Sequence, residues 1–199
     1  MHSKTSGDLP YAELHCVSNF SFLRGASHPE ELVEQAHYLG YEALSITDEC
    51  SLAGVVRAHV AAKKIGLRLI VGTEIQLVDG PRLILLAPNV LAYTEISRLI
   101  TLGRRRCEKG SYRLARIDLE ANQAQLLVVW LAGTQAADRS AAQWLVKTFG
   151  QRVWIAMEQF YSGLDGQHRQ RLQSLSQAFD IPLVACGDVH MHVRERSPI

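Results

Sequence analysis

The stretch "EALSITDECSLAGVVRAHVAAKKIGLRLIVGTEIQL" (residues 42–77) contains two apolar runs separated by a segment with helical spacing. The runs at 42–48 and 67–77 are rich in Val, Ile and Leu with little alternation, which is typical of strands buried on both faces. The segment between them ends with Lys63 and Lys64 and is followed by Gly66, as expected for the end of a helix. A strand, a helix and a second strand in this order predict a parallel β-α-β unit.

The same rhythm continues on both sides of this unit. Further apolar, strand-like runs lie at 82–87, 125–132, 152–158 and 181–190. The segment 27–41 predicts a helix with Ser27 as its N-cap, Pro29 in its first turn and Gly40 at its end. The alternation of strands and helices favours a parallel α/β sheet or barrel, and periodicity alone does not separate the two.

Composition describes an ordinary globular chain. It has 199 residues, of which 47% are hydrophobic and 21% charged, enough for one domain with a well-covered core. The formal net charge of +1 excludes a global field that would attract nucleic acid or a membrane surface, so such binding would be local. The sequence has no apolar run near the ~20 residues of a membrane helix and no signal-peptide core. Its four cysteines form no CxxC pair, which predicts a reduced, cytoplasmic chain without a membrane partner.

Polar residues follow several of the predicted strands, where the chemistry of parallel sheets and barrels gathers. These residues are His15, Asp48, Glu49, Glu74, Asp188 and His190. Asp188 and His190 are two positions apart on an extended segment and therefore point to the same side. With His15 and Glu74 they would form a nitrogen and oxygen ligand set suited to zinc, manganese or iron. Such metals activate water for phosphoester hydrolysis, although a lone acidic residue after a strand is more often a cap or loop residue.

The chain resembles the PHP (polymerase and histidinol phosphatase) domain that opens bacterial C-family DNA polymerases. The resemblance is carried by residues 13–74, by "ITLGRRRCEKGSYRL" (100–114) and by "LVACGDVHMHVR" (183–194), in the order of that family. It is strongest to the error-prone, damage-inducible members, which are paralogues of the replicative polymerase III alpha subunit. The first block is long and matches residue for residue, so the resemblance is specific.

The resemblance implies an α/β fold of the PHP type, a distorted (β/α)7 barrel that is incomplete at its C-terminus. It assigns residues 1–10 to a flexible N-terminus, 11–194 to the PHP domain and 195–199 to the start of a connection to missing polymerase domains. The implied parent is an error-prone DNA-directed DNA polymerase, a nucleotidyltransferase used in translesion synthesis and damage-induced mutagenesis. Its partners would be DNA, the remaining polymerase domains, other mutagenesis proteins and the sliding clamp, and magnesium would serve its own catalytic site.

The metal motifs of PHP domains are only partly present. Where the family has His-x-His this chain has His15 and Val17, and where it has Thr-Asp-His this chain has residues 47–49, Thr-Asp-Glu. Arg82 stands where many relatives have a histidine. Valine offers no lone pair, and Arg82 brings a permanent positive charge. The resemblance therefore implies a degenerate site that holds at most one weakly bound zinc or manganese ion through His15, Glu49, Glu74, Asp188 and His190.

Two classes of function remain open at this point. In the first, the segment is not catalytic by itself and serves as a structural and interaction module of the polymerase. In the second, it is a metal-dependent phosphoesterase or a 3′–5′ proofreading exonuclease, which needs histidines at positions 17, 49 and 82. Cys50 and Cys186 share strand parity with Asp48 and Asp188, so a mixed thiolate site is an alternative to simple core packing.

The basic run "RRRCEKGSYR" (104–113) is a candidate contact for nucleic acid. Arg104, Arg105, Arg106 and Lys109 would neutralise phosphates, and the implied parent handles DNA. The alternative is a helix end whose cations complement the helix dipole before a loop begins at Gly110. Charge alone does not separate these two interpretations.

Overall fold

A computed structural model describes residues 10–122, 125–133, 135–161 and 163–196. In these residues seven strands form one sheet whose spatial order follows the chain. The strands are β1 (Ala12–Glu13), β2 (Ala43–Ile46), β3 (Arg68–Gln76), β4 (Arg82–Ala87), β5 (Leu127–Leu131), β6 (Val153–Met157) and β7 (Leu183–Ala185). The helices are α1 (Pro29–Tyr38), α2 (Val55–Ile65), α3 (Val90–Arg105), α4 (Arg116–Glu120), α5 (Gln135–Phe149) and α6 (Asp165–Phe179).

The two ends of the sheet meet, so the sheet is a nearly closed barrel. Cys16, just after β1, forms a parallel bridge with Val189, just after β7. The amide of Val17 donates to the Val189 carbonyl at 2.9 Å, and the Val189 amide donates to the His15 carbonyl at 2.9 Å. The prediction of a distorted (β/α)7 barrel is confirmed, and its closure places the residues after β1 beside those after β7.

One strand departs from the predicted parallel arrangement. β4 is antiparallel to both β3 and β5, whereas the pairs β1–β2, β2–β3, β5–β6 and β6–β7 are parallel. Only residues 77–81 connect β3 to β4, which is too short for the crossover that a parallel pair needs. The expectation of parallel strands was therefore wrong for β4. As a consequence Arg82, at the start of β4, pairs with Gln76 at the end of β3.

Alternation along β4 separates the barrel interior from the outer helical layer. Leu83 and Leu85 belong to the large buried cluster that also contains side chains of α3, α5 and α6. Ile84 and Leu86 belong to a separate cluster with Val129. Because neighbouring strand residues point to opposite faces, these two clusters are the outside and the inside of the barrel wall. Arg82 has the parity of the inner set.

Helix α1 begins one residue later than the sequence suggests. Its N-cap is His28, whose backbone amide donates to Glu31 Oε2 at 2.8 Å. The predicted N-cap, Ser27, has another partner: its hydroxyl lies 2.7 Å from Nδ1 of His192 and accepts from the His192 amide at 3.0 Å. The Ser27 side chain therefore fastens the segment after β7 to the start of α1, and the N-cap prediction was wrong.

Parts of two predicted segments lie outside the described residues. These parts are residues 1–9 of the predicted N-terminal segment and residues 197–199 of the predicted connection. Among the helices that the structure does describe, none is both long enough and apolar enough to cross a membrane.

Candidate metal site

Glu74 of β3 meets the polar residues that follow β1, β6 and β7 at one mouth of the barrel. His15 is almost fully buried, and its Nδ1 lies 2.6 Å from Glu158 Oε1 while its Nε2 lies 2.9 Å from Glu74 Oε2. The same Nε2 is 3.5 Å from Asp188 Oδ1, and Nε2 of His190 is 2.9 Å from that oxygen. The structure thus brings four of the predicted ligands together, and it adds Glu158.

The contacts of His15 favour a protonated ring. Burial lowers its pKa, but the hydrogen bonds to Glu158 and Glu74 outweigh burial and raise the pKa to about 9. An imidazolium donates from both nitrogens and has no lone pair left for a metal. For Asp188, burial raises the pKa, but the hydrogen bond from His190 and the nearby His15 lower it below its usual range. The pocket therefore neutralises its carboxylates with protein cations.

Glu74 is the centre of this ion-pair network. Its carboxylate is 1% exposed and accepts from Arg82 Nε at 2.7 Å, from Arg24 Nη1 at 2.8 Å and from Arg24 Nη2 at 2.9 Å. The two bonds from Arg24 have the bidentate geometry of strong guanidinium–carboxylate pairs. Burial alone would raise the pKa of Glu74, but the hydrogen bonds from His15, Arg24 and Arg82 hold it well below its usual range.

Glu49 has both of its carboxylate oxygens engaged as well. Its Oε2 accepts from Arg24 Nη1 at 3.0 Å, and its Oε1 accepts from the Tyr112 hydroxyl at 3.0 Å. Arg24 therefore bridges two carboxylates, that of Glu49 after β2 and that of Glu74 in β3. A permanent cation lies where two acidic side chains converge.

Asp48 reaches the same mouth but faces a loop. Its Oδ1 accepts from the Ser18 amide at 2.8 Å and from the Ser21 hydroxyl at 2.7 Å, and its Oδ2 accepts from the Ser18 hydroxyl at 2.7 Å. Short polar side chains that bond to backbone and to one another in this way fix loop conformation. Asp48 thus anchors the loop 18–25, the segment that carries Arg24.

Replacing this anchor tests its role. Asp48→Ala removes three acceptor contacts in a buried place, and we expect a loss of about 1–3 kcal/mol in the free energy of unfolding. The loosened loop should also be cut faster by trypsin after Arg24. Asp79→Ala is the control, because Asp79 is exposed and accepts from the Arg116 amide instead. Equal cleavage rates at Arg24 in wild type and Asp48→Ala would show that Asp48 does not hold the loop.

Within the part of the chain that the structure describes, the remaining donors form one group that could hold a metal ion. His15, Glu158 and Asp188 each offer one ligand atom, and these atoms lie within 4.8 Å of one another. Glu49 and Glu74 do not fit a second ion, because Arg24 and Arg82 already neutralise them. A mixed thiolate site also does not fit: Cys50 and Cys186 pack in hydrophobic clusters, and burial raises the pKa of both thiols.

Two residues of the network were missed by the sequence analysis. Glu158 directly follows β6, so the strand-end argument that selected the other acidic residues would have found it. Arg24 lies in an irregular loop, and no periodic pattern reports where such a loop places a side chain. Both residues contact the predicted ligands His15 and Glu74.

The backbone at two strand ends is in an uncommon conformation. Cys50 has φ 44° and Asp188 has φ 49°, although neither is a glycine. Non-glycine residues in the left-handed region cost free energy and cluster at functional sites. Cys50 directly follows Glu49, and Asp188 belongs to the Asp188–His190 motif, so both residues adjoin the candidate site.

The predicted nucleic-acid-binding run has mixed surroundings. Arg104 donates to the carbonyls of Cys50 at 3.2 Å and Glu49 at 3.1 Å, and its guanidinium lies 5.3 Å from the centre of the Tyr112 ring. Arg106 forms two bonds with Asp118, at 2.7 and 3.0 Å. Arg104 is half-buried, and Arg106, although exposed, is paired with Asp118, whereas Arg105 and Lys109 are exposed. Contact with nucleic acid through this run stays a prediction.

Curated relatives resemble this chain over nearly its whole length. An error-prone DNA polymerase of Methylococcus capsulatus is 53% identical over 195 residues, covering 98% of this chain and 18% of the relative. Those of Dechloromonas aromatica and of Pseudomonas aeruginosa PAO1 are 54% and 50% identical, covering 95% and 94% of this chain and 19% and 18% of the relatives. The chain thus spans about a fifth of the length of these relatives.

Solved structures and a family profile agree on the fold. A Bifidobacterium adolescentis protein assigned as a metal-dependent phosphoesterase has a TM-score of 0.66 and 19% identity, covering 92% of this chain and 88% of its own. An amidohydrolase of Chromobacterium violaceum, solved with sulfate and no metal, has a TM-score of 0.63 and 14% identity, covering 90% and 87%. At such identities the likeness shows the fold alone. The profile of the PHP domain matches residues 13–160, which is most of the chain, and the chain therefore belongs to the PHP domain family.

Proposed function

We propose that this chain is the N-terminal PHP domain of an error-prone DNA-directed DNA polymerase. Identities of 50–54% to curated error-prone DNA polymerases, over almost the whole chain, support this assignment. In this proposal residues 11–194 form the domain and 195–199 begin the connection to the polymerase domains. The longer protein is a nucleotidyltransferase that copies damaged DNA and produces damage-induced mutations.

Within that polymerase the domain acts as a structural and interaction module. The observation that carries this proposal is the environment of Glu74, which accepts three hydrogen bonds from Arg24 and Arg82. Two-metal hydrolysis needs such a carboxylate to face metal ions, and here it faces guanidinium groups. At most one weakly held zinc or manganese ion would bind, through His15, Glu158 and Asp188, with His190 beside them. A metal there would act as a Lewis acid.

The polymerase supplies the partners and the site of synthesis. We propose that DNA and the remaining polymerase domains are partners, together with mutagenesis proteins and the sliding clamp, and that the protein works in the cytoplasm. Magnesium ions belong to the carboxylates of the polymerase domain. If this domain contacts DNA, the exposed Arg105 and Lys109 are the phosphate-contacting residues of the basic run.

One substitution separates the module from a phosphoesterase or 3′–5′ exonuclease. Asp188→Asn in the full-length polymerase should leave nucleotide incorporation near the wild-type rate, because the polymerase carboxylates lie in another domain. The isolated wild-type chain should contain substoichiometric metal and should release no nucleotides from single-stranded DNA with manganese. Primer extension by the full-length polymerase, and metal analysis and nuclease assays of the chain, provide the measurements. Each is made on wild type and on Asp188→Asn.

Two results would contradict the module proposal. Manganese-dependent nuclease activity that Asp188→Asn abolishes would establish the hydrolase instead. A folded Asp188→Asn polymerase with normal melting but no primer extension would show that the barrel mouth takes part in nucleotide transfer. Exposed Asp79→Asn is the matched control for the amide substitution.

A further inference from the structure

The guanidinium of Arg24 lies between two acidic side chains, those of Glu49 and Glu74. Nη1 of Arg24 is 3.0 Å from Glu49 Oε2 and 2.8 Å from Glu74 Oε1, and Nη2 is 2.9 Å from Glu74 Oε2. One nitrogen thus contacts a carboxylate of β3 and a carboxylate from the segment that follows β2. Clusters of carboxylate oxygens are the preferred surroundings of hard divalent cations such as Mn²⁺.

The loop that carries Arg24 is built to hold this position. Asp48 accepts three hydrogen bonds from Ser18 and Ser21, at the start of the loop. At its end, Gly25 packs so closely on the chain that an added Cβ would lie 2.0 Å from the Ser18 carbonyl oxygen. The Ala26 amide then donates to the His190 carbonyl at 2.8 Å. Arg24 is therefore delivered by a loop fixed at both ends.

Burial and a second arginine strengthen the ion pairs of Glu74. Glu74 is 1% exposed, and Arg24 is only 24% exposed, so their interaction is weakly screened by solvent. Arg82 adds a second guanidinium on Glu74 Oε1 at 2.7 Å. A metal ion entering between Glu49 and Glu74 would have to displace Arg24 from bonds to both carboxylates.

We propose that Arg24 is a tethered cation that replaces a metal ion, and that the carboxylates of Glu49 and Glu74 form a latent divalent-cation site which Arg24 closes. This inference rests on the proposed function, since it explains why the barrel serves as a module. The missing histidines are a separate explanation for weak metal binding. The present inference attributes the weak binding to the added positive charge of Arg24. Removing that charge should open the site even though positions 17 and 49 lack histidine.

The test measures manganese binding to the chain by titration calorimetry and by melting. Arg24→Gln should bind Mn²⁺ at least about tenfold more tightly than wild type, because a positive charge next to both carboxylates is gone. Arg24→Lys keeps that charge and should behave as wild type. Arg57→Gln is the matched control, because Arg57 also pairs with a carboxylate, Glu30, but on the helical surface.

Melting gives a second, independent readout. Without metal, Arg24→Gln should melt below wild type, since Glu74 loses its bidentate partner, and Mn²⁺ should restore part of the loss. If Arg24→Gln does not fold alone, it should refold when Mn²⁺ is present. Failure to refold with Mn²⁺ would contradict the proposal. Adding Glu49→Gln to Arg24→Gln should abolish the gained binding.

The outcomes separate this inference from the proposed function. Equal Mn²⁺ affinity of wild type and Arg24→Gln would overturn the tethered-cation inference and leave the polymerase assignment standing. Tight, saturable Mn²⁺ binding by wild type through Glu49 and Glu74 would overturn it as well. Failure of the proposed function would be visible elsewhere, as metal-dependent nuclease activity of the unmodified chain.

Discussion

Glu74→Gln is expected to be among the most destabilising single changes at the barrel mouth. The substitution removes the negative charge that three cationic side chains share, those of His15, Arg24 and Arg82. Breaking a buried ion pair by removing one partner typically costs about 3–5 kcal/mol. Arg24 and Arg82 keep 24% and 37% exposure and can recover water, so we expect the lower end, about 3 kcal/mol. For a chain of this size that corresponds to a melting temperature about 6–12 °C lower.

Unfolding by denaturant measures the free energy of unfolding of Glu74→Gln, and Glu34→Gln is the control. Glu34 is exposed on α1, so its substitution should change the free energy of unfolding by less than about 0.5 kcal/mol. A double-mutant cycle between Glu74→Gln and Arg24→Gln should show a coupling of about 0.5–3 kcal/mol. If Glu74→Gln is no less stable than Glu34→Gln, the ion-pair network does not stabilise the barrel.

The strands β2 to β7 were predictable because each lies within a continuous apolar run. Each of the six runs identified in the sequence contains a strand of the structure, from β2 to β7. The direction of β4 was not predicted, although the short connection 77–81 with Gly80 and Pro81 carried the signal of a hairpin. The two-residue strand β1 was recognised only through the histidine that follows it. Periodicity finds buried strands, whereas chain direction depends on the connections.

The candidate site was predictable only where the fold itself positions side chains. His15, Glu74 and Asp188 lie at strand ends, and a barrel brings strand ends together whatever the loops do. Asp48 also lies at a strand end, but the hydroxyls of Ser18 and Ser21 bind it, and this long-range pairing leaves no periodic trace. Arg24 depends on the same loop. The sequence therefore indicated which polar side chains would meet at this mouth, but not the arginine that pairs with Glu49 and Glu74.

Restoring the histidines of the family should have little effect while Arg24 remains. The triple variant Val17→His, Glu49→His and Arg82→His supplies three imidazoles and removes one guanidinium, each a favourable change for zinc. Yet Arg24 would keep its two bonds to Glu74, at 2.8 and 2.9 Å. We therefore expect only a modest gain in zinc affinity from the triple variant.

Adding Arg24→Gln to the triple variant should produce a far larger effect. Two unit charges about 4 Å apart repel by about 4 kcal/mol at an effective dielectric constant of 20, and the double charge of a zinc ion raises this to about 8 kcal/mol. Arg24 is 24% exposed and can partly turn to solvent, so we reduce this to about 2.8 kcal/mol, or about 100-fold in affinity. Competition with a chromophoric zinc chelator compares the triple and quadruple variants directly. The triple variant with Arg57→Gln serves as the control, since that change removes an arginine outside the pocket. If the triple and quadruple variants bind zinc equally, the missing histidines alone account for the weak metal binding. Arg24 would then fill the place of a lost metal ion without preventing metal from binding.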